Sequence, residues 1–407
     1  PPAGVQSRLM GHWIYITRAL CVAALVLCSP GTWAQDGMEV FEEVDPYTKG
    51  DPERMAKLGY VKFGPFLWTK AKRTGEVCET LGSPPALWVE TAHFRIGSTL
   101  GTYRPGTDRL EKEKLKEELA RLKKKLGRAR FPKKGLDPWL RLHLYAQRAE
   151  DLYSQFQEDF DLEPAHFEDK GEFLGVEHKF LLLLCQRKSE LGRYIRAEYD
   201  GDPAPSWRWG TGDDGGVFFG LNAEDIASGW SGDGMDLPFD TFMHVNVIGS
   251  LTANLLDNYL HNRHTAPRWM RYGLAHRYVR AVDARWVELA GTMSGASGDE
   301  DAWKWAPRVL NLVKNDFFVS APDMFSWQAS DELKQRDHMI IWSKLEYLLD
   351  ECNGNHAAFL NAVCDGKAQD AAGSRKIQAQ ALQAHFDLAP TEFDEAWSKW
   401  VKKVYRK

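Results

Sequence analysis

Apolar positions recur along this chain with two different periods, and the change from one to the other divides it. Residues 88–96 alternate apolar and polar side chains, and Gly97 and Gly101 close the run, which predicts a half-buried strand. Residues 180–185 are continuously apolar and short, as in a strand covered on both faces. Residues 217–222 read as a further strand, and the Gly-rich stretch 201–216, with Trp207 and Trp209, as a loop or hairpin turn. Helical spacing takes over elsewhere. Leu115, Leu119, Leu122 and Leu126 stand among Lys and Glu in 111–128, predicting a solvated amphipathic helix. Asp137 followed by Pro138 is a helix start, and Leu140, Leu144, Leu152 and Phe156 carry that helix to residue 160. Another helix is expected over 189–199. From 238 onwards nearly everything is helical, with breaks at 262–267, 294–301, 320–322, 354 and 366–373. Residues 35–85 lack a clear period and read as an irregular, partly stranded segment. The order predicts an α+β domain over 86–290, with a small mixed sheet, followed by an all-helical part over 291–407.

Composition adds an address. The chain has 407 residues, 43% of them hydrophobic, enough for well-buried interiors. Within the first 34 residues, Met10 and Arg18 precede an apolar stretch at 19–27, and Thr32, Trp33 and Ala34 form a small-residue exit, the pattern of a secretory signal peptide cleaved near Ala34. That apolar stretch is too short to span a bilayer. Export to the periplasm, cell envelope or medium is therefore expected, with no stable transmembrane segment afterwards. Removing Arg8 and Arg18, and no acid, takes the formal net charge from −5 to −7, which argues against nucleic acid or an anionic membrane as partner. Four cysteines remain, Cys78, Cys185, Cys352 and Cys364, with three ways to pair completely. A bridge from Cys352 to Cys364, on helices joined through Asn353, Gly354, Asn355 and His356, is the favoured pairing, against buried thiols as the alternative. No Cys-x-x-Cys pair is present, so a structural zinc site is not expected.

Two stretches carry the candidate chemistry. The first is His244-Val245-Asn246-Val247-Ile248. The second centres on Tyr272, 24 residues after Ile248, and contains Pro267, Trp269, Tyr272, Gly273, Leu274 and Ala275. The edge-type strand, buried strand, helix and second stretch occur in the order found in gluzincin zinc peptidases. The chain most resembles the peptidase-MA-like proteins of bacterial exported proteomes, over about residues 88–405, including the Trp-rich closing helix near Trp397 and Trp400. In that family the first helix carries His-Glu-x-x-His, and the Glu of Pro-x-Trp-Leu-x-Glu-Gly-Leu-Ala completes the zinc site. The resemblance implies a thermolysin-like domain with metal-site helices. It also places only His244 on a family ligand: Val245 stands where the general base belongs, Ile248 where the second His belongs, and Tyr272 where the third ligand belongs. A catalytic zinc needs three protein ligands and a water, so one imidazole cannot hold it, and loss of the Glu removes an acid/base step worth about a hundredfold or more.

The residues read without the family give a compatible picture. On a helix over 241–260, Val245, Ile248, Leu251, Leu255 and Tyr259 form an apolar stripe with His244 at its edge. Trp269, Tyr272, His276 and Val279 share one face of the next helix. The expectation is a catalytically inactive peptidase-like protein, without cofactor, that uses a retained cleft to bind a peptide, an envelope polymer or a protein partner. Its cleft candidates are His244, Asn246, Trp269, Tyr272 and His276, with the Tyr272 hydroxyl reaching His244 or Asn246, and Trp207, Trp209 and Trp230 as an aromatic surface. Two alternatives stand beside it. One is a hydrolase with relocated zinc ligands, His244 and His276 joined by His261 or His264. The other is a purely structural helical module, which predicts a shallow or filled cleft lined by apolar residues. A phosphate loop at 210–216 lacks the Gly-Lys-Ser/Thr ending, no Gly-x-Ser-x-Gly elbow exists, and acid pairs such as Asp299 and Asp301 read as loop or cap residues.

Overall fold

The computed structural model describes residues 44–127, 135–167, 171–210, 216–232, 237–261, 266–286, 303–328, 333–365 and 370–406. The expected signal region lies outside them. The elements, in chain order, are α1 (Pro52–Leu58), β1 (Tyr60–Phe63), α2 (Thr74–Leu81), β2 (Leu87–Thr91), β3 (Phe94–Ser98), α3 (Arg109–Leu126), α4 (Pro138–Asp159), β4 (Phe180–Cys185), α5 (Lys188–Tyr199), β5 (Ser206–Gly210), β6 (Val217–Asn222), α6 (Ala223–Gly232), α7 (Phe239–Asn258), α8 (Arg268–Val282), α9 (Trp305–Lys314), α10 (Ala321–Met324), α11 (Gln335–Glu351), α12 (His356–Asp365), α13 (Ala371–Phe386) and α14 (Pro390–Val404). The class is α+β and mostly helical, around one mixed six-stranded sheet of order β1-β2-β3-β4-β6-β5. Among the described residues no helix is long and apolar enough to cross a membrane.

Strands β3, β4 and β6 run parallel, and antiparallel partners flank them: β2 and β1 on one side, β5 on the other. Burial of all six β4 residues follows from its central place. Alternate side chains feed two cores. Val89, Phe94, Ile96, Leu182, Leu184, Phe219 and Leu221 join the main core with α4 and α7, whereas Trp88, Leu181, Leu183 and Phe218 meet α5 and α2 on the opposite face.

The run 88–96 is two strands rather than one. A hairpin divides it, in a register that pairs Trp88 with Gly97 and Glu90 with Arg95. The turn at Ala92 and His93 has none of the usual Gly or Asn signals and is held from outside by α4: Glu150 accepts from Thr91 Oγ1 (2.5 Å), the His93 amide (2.9 Å) and, at 2.6 Å, meets His93 Nδ1. At Gly97 the Trp88 ring lies where a Cβ would sit, 2.3 Å away, so only glycine fits opposite that tryptophan.

The segment 35–85 is more regular than its pattern: it supplies α1, α2 and edge strand β1. Tertiary contacts pin it. Asp45 Oδ1 pairs with His143 Nε2 on α4 at 3.1 Å, and His143 Nδ1 meets the Tyr60 hydroxyl at 2.8 Å, all three side chains being buried. In the stretch 201–216, residues 206–210 form β5 rather than a turn. The described residues from 303 onwards are all helices and connections, and they share the main core: α11 packs along α8. Gly273 permits that approach, since a Cβ there would stand 3.1 Å from the Ile341 carbonyl oxygen. Residues Glu39–Lys407 form one compact unit, across the boundary expected at 290 and 291.

Candidate functional site

The N-terminal half of α7 lies between the sheet-covering helix α4, the charged helix α3 and helix α8. Proline at the N-cap position starts α7, and the absence of any interior Pro lets it run 20 residues. Val245 is 1% and Ile248 4% exposed, so the two positions that would hold base and ligand are filled by core packing. His244 and Ile248 nevertheless line a cleft of about 420 Å³ together with Lys114 and Arg121 of α3, Leu152 of α4, and Tyr278 and Val282 of α8. One wall is charged, the other apolar.

Behind His244 runs a buried ion network. Arg148 of α4 forks both ways: its Nε and Nη2 donate to Glu118 at 3.0 and 2.7 Å, and its Nη1 and Nη2 donate to Asp240 at 3.1 and 2.7 Å. Burial alone would raise the Asp240 carboxyl; Arg148 and Lys114 overcome this and hold it far below the carboxylate range. Removing one partner of such a pair typically costs about 3–5 kcal/mol, because a buried charge is left uncompensated. At the mouth, Arg121 donates to Asp151 at 2.6 Å. The guanidinium charges of the cleft are thus already matched by carboxylates.

Lys114 determines what His244 can do. Its ammonium donates to His244 Nδ1 and to Thr241 Oγ1, both at 3.3 Å. An ammonium has no lone pair, so Nδ1 is the acceptor and the neutral ring carries its proton on Nε2. Burial, and the nearby Arg148 and Lys114 charges, push the His244 pKa well below its ordinary value, so the ring stays neutral. A neutral ring with its one lone pair taken is a poor general base. What it offers is an N–H donor beside an apolar wall.

The other expected cleft residues lie elsewhere. Asn246 donates to the Phe242 carbonyl of its own helix at 2.8 Å. Trp269 is buried, its indole N–H bound to Gln378 at 2.6 Å. Tyr272 turns its ring edge to His338 of α11, centroids 5.6 Å apart, and its hydroxyl makes no hydrogen bond to His244 or Asn246. His276 also meets His338, Nε2 to Nδ1 at 2.9 Å, with Trp305 edge-on. Burial lowers both: His276 well below its ordinary value, His338 to about 4. His244 and His276 therefore face different helices, and His264, with the side chain of His261, lies outside the described residues. Among the described residues no group of three or more His, Cys, Asp or Glu side chains is placed to hold a metal ion.

Cys352 and Cys364 form no disulfide. Cys352 caps the C-terminus of α11, and Cys364 lies in the last turn of α12. Trp207 stacks on Tyr199 within the second core, not on an open aromatic surface; the side chains of Trp209 and Trp230 lie outside the described residues. The pattern missed Lys114, Glu118, Arg148, Asp240 and His338. One signal was available: Arg148 falls in a stretch of α4, residues 138–149, that is buried almost all round. No family model, no curated protein and no solved structure matches this chain.

Proposed function

We propose that the chain is an exported, non-catalytic protein with a gluzincin-like, thermolysin-type frame, which binds a peptide segment in the cleft at His244. The observation that carries this reading is the Lys114 to His244 hydrogen bond, which leaves His244 an N–H donor without a free lone pair. His244 Nε2–H suits a peptide carbonyl, and Ile248 and Val282 suit an apolar side chain next to it. Packing of Val245 and Ile248 into the core supports the absence of a catalytic zinc. The cleft is open and has a polar wall, which favours binding over a purely structural helical module.

Selection of a random peptide library against the chain lacking residues 1–34 tests the reading. Peptides should be recovered by the wild type and lost with Val282→Arg, which blocks the apolar wall, and neither protein should hydrolyse them or carry stoichiometric zinc. Zinc-dependent proteolysis abolished by His244→Ala would overturn it, as would peptides that bind both proteins equally.

A further inference from the structure

A second polar centre lies on the other half of α7, about 15 Å from His244 by helical rise. Asn254, Asp257 and Asn258 stand at spacings of three and four residues, hence on one side of the helix, and all three are buried. Arg208 of edge strand β5 and Arg271 of α8 both pair with Asp257, and Arg208 Nη1 also donates to Asn254 Oδ1 at 3.4 Å. Three buried donors in this cluster have no acceptor: Asn254 Nδ2, Asn258 Nδ2 and Arg271 Nε. Asn254 is fully buried, its oxygen faces Arg208, and its NH2 group has no acceptor. A buried N–H left without a partner costs about 1–3 kcal/mol, so a group of them, all donors, indicates a missing acceptor.

We infer that Arg208, Asn254, Asn258 and Arg271 form a binding site for a small oxyanion, a carboxylate or a phosphate, beneath the sheet edge. Charge supports the sign. Burial lowers the Arg271 pKa, and the neighbouring Arg208 and Arg268 guanidiniums lower it further, against Asp257. An arriving anion supplies the acceptors and relieves that repulsion together. Arg208 keeps 28% of its side chain exposed and provides the route in from the outer edge of β5. The site is independent of the peptide cleft.

The test uses the chain lacking residues 1–34, titrated with inorganic phosphate and, in a second arm, with sodium acetate, each at constant ionic strength against sodium chloride. At least one anion should raise the melting temperature saturably, and the arm that does so identifies the preferred source. Arg208→Gln and Arg271→Lys should each weaken binding at least tenfold, the lysine keeping the charge but losing Nε–H. Should either variant fail to fold, the Arg271 Nε–H resonance of the ¹⁵N-arginine-labelled wild type decides, shifting with the same saturation. No anion-specific rise, an undiminished rise in a folded variant, or an unmoved Arg271 resonance would each overturn the site.

Discussion

At the scale of single residues, three buried histidines tie the protein to pH in one direction. His244, His276 and His338 are all held below their ordinary pKa by burial, His338 at about 4. A base whose folded pKa lies below its unfolded one binds fewer protons folded than unfolded throughout the interval between them. Their contribution is therefore unpenalised above the unfolded value of about 6.5, and stability falls as the pH drops from there towards the folded values, by at most about 1.4 kcal/mol per pH unit for each ring that stays neutral. Urea unfolding between pH 8 and pH 5 should show this loss, with a shallower slope for His338→Gln, which removes one ring and frees its partner. Identical slopes for the two proteins would refute the assignment to this pair. Sequence spacing located His244 and His276 but not their partners, because Lys114 is 130 residues and His338 62 residues away along the chain.

Elements were legible where one period or one cap decides them. The Asp137 side chain accepts from the Leu140 amide and starts α4 where the sequence places it, and the uninterrupted apolar run at 180–185 is the central strand. The β2–β3 hairpin was not legible, since the turn residues Ala92 and His93 carry no turn signal and its stabilising carboxylate comes from another helix. Glu150→Ala should therefore destabilise the protein by about 2–3 kcal/mol, through loss of hydrogen bonds to a charged acceptor from Thr91 and His93. Equilibrium denaturation measures this, and Glu150→Gln, which keeps an acceptor, should lose less. A cost below about 0.5 kcal/mol, the range of an ordinary surface substitution, would mean that the turn holds itself.

For the whole molecule, one main core extends from Tyr47 to Phe393 and crosses the boundary expected at 290 and 291. Arg277 of α8 strengthens the junction by reaching Asp159 of α4 and Asp350 of α11 at once. The chain should unfold in a single transition, coincident in near- and far-ultraviolet circular dichroism, and neither 86–290 nor 291–407 should fold alone; two separated transitions would restore the boundary. The sequence by itself determined the α+β class, the central strand, the long helices and the apolar or aromatic side chains Val245, Ile248 and Tyr272, because period, caps and residue type are local properties. Only the tertiary structure decided that Tyr272 faces His338, that Cys352 and Cys364 form no disulfide, and that Lys114 occupies the lone pair of His244. Those outcomes depend on which helix faces pack together, and so on contacts between residues that no spacing along the chain encodes.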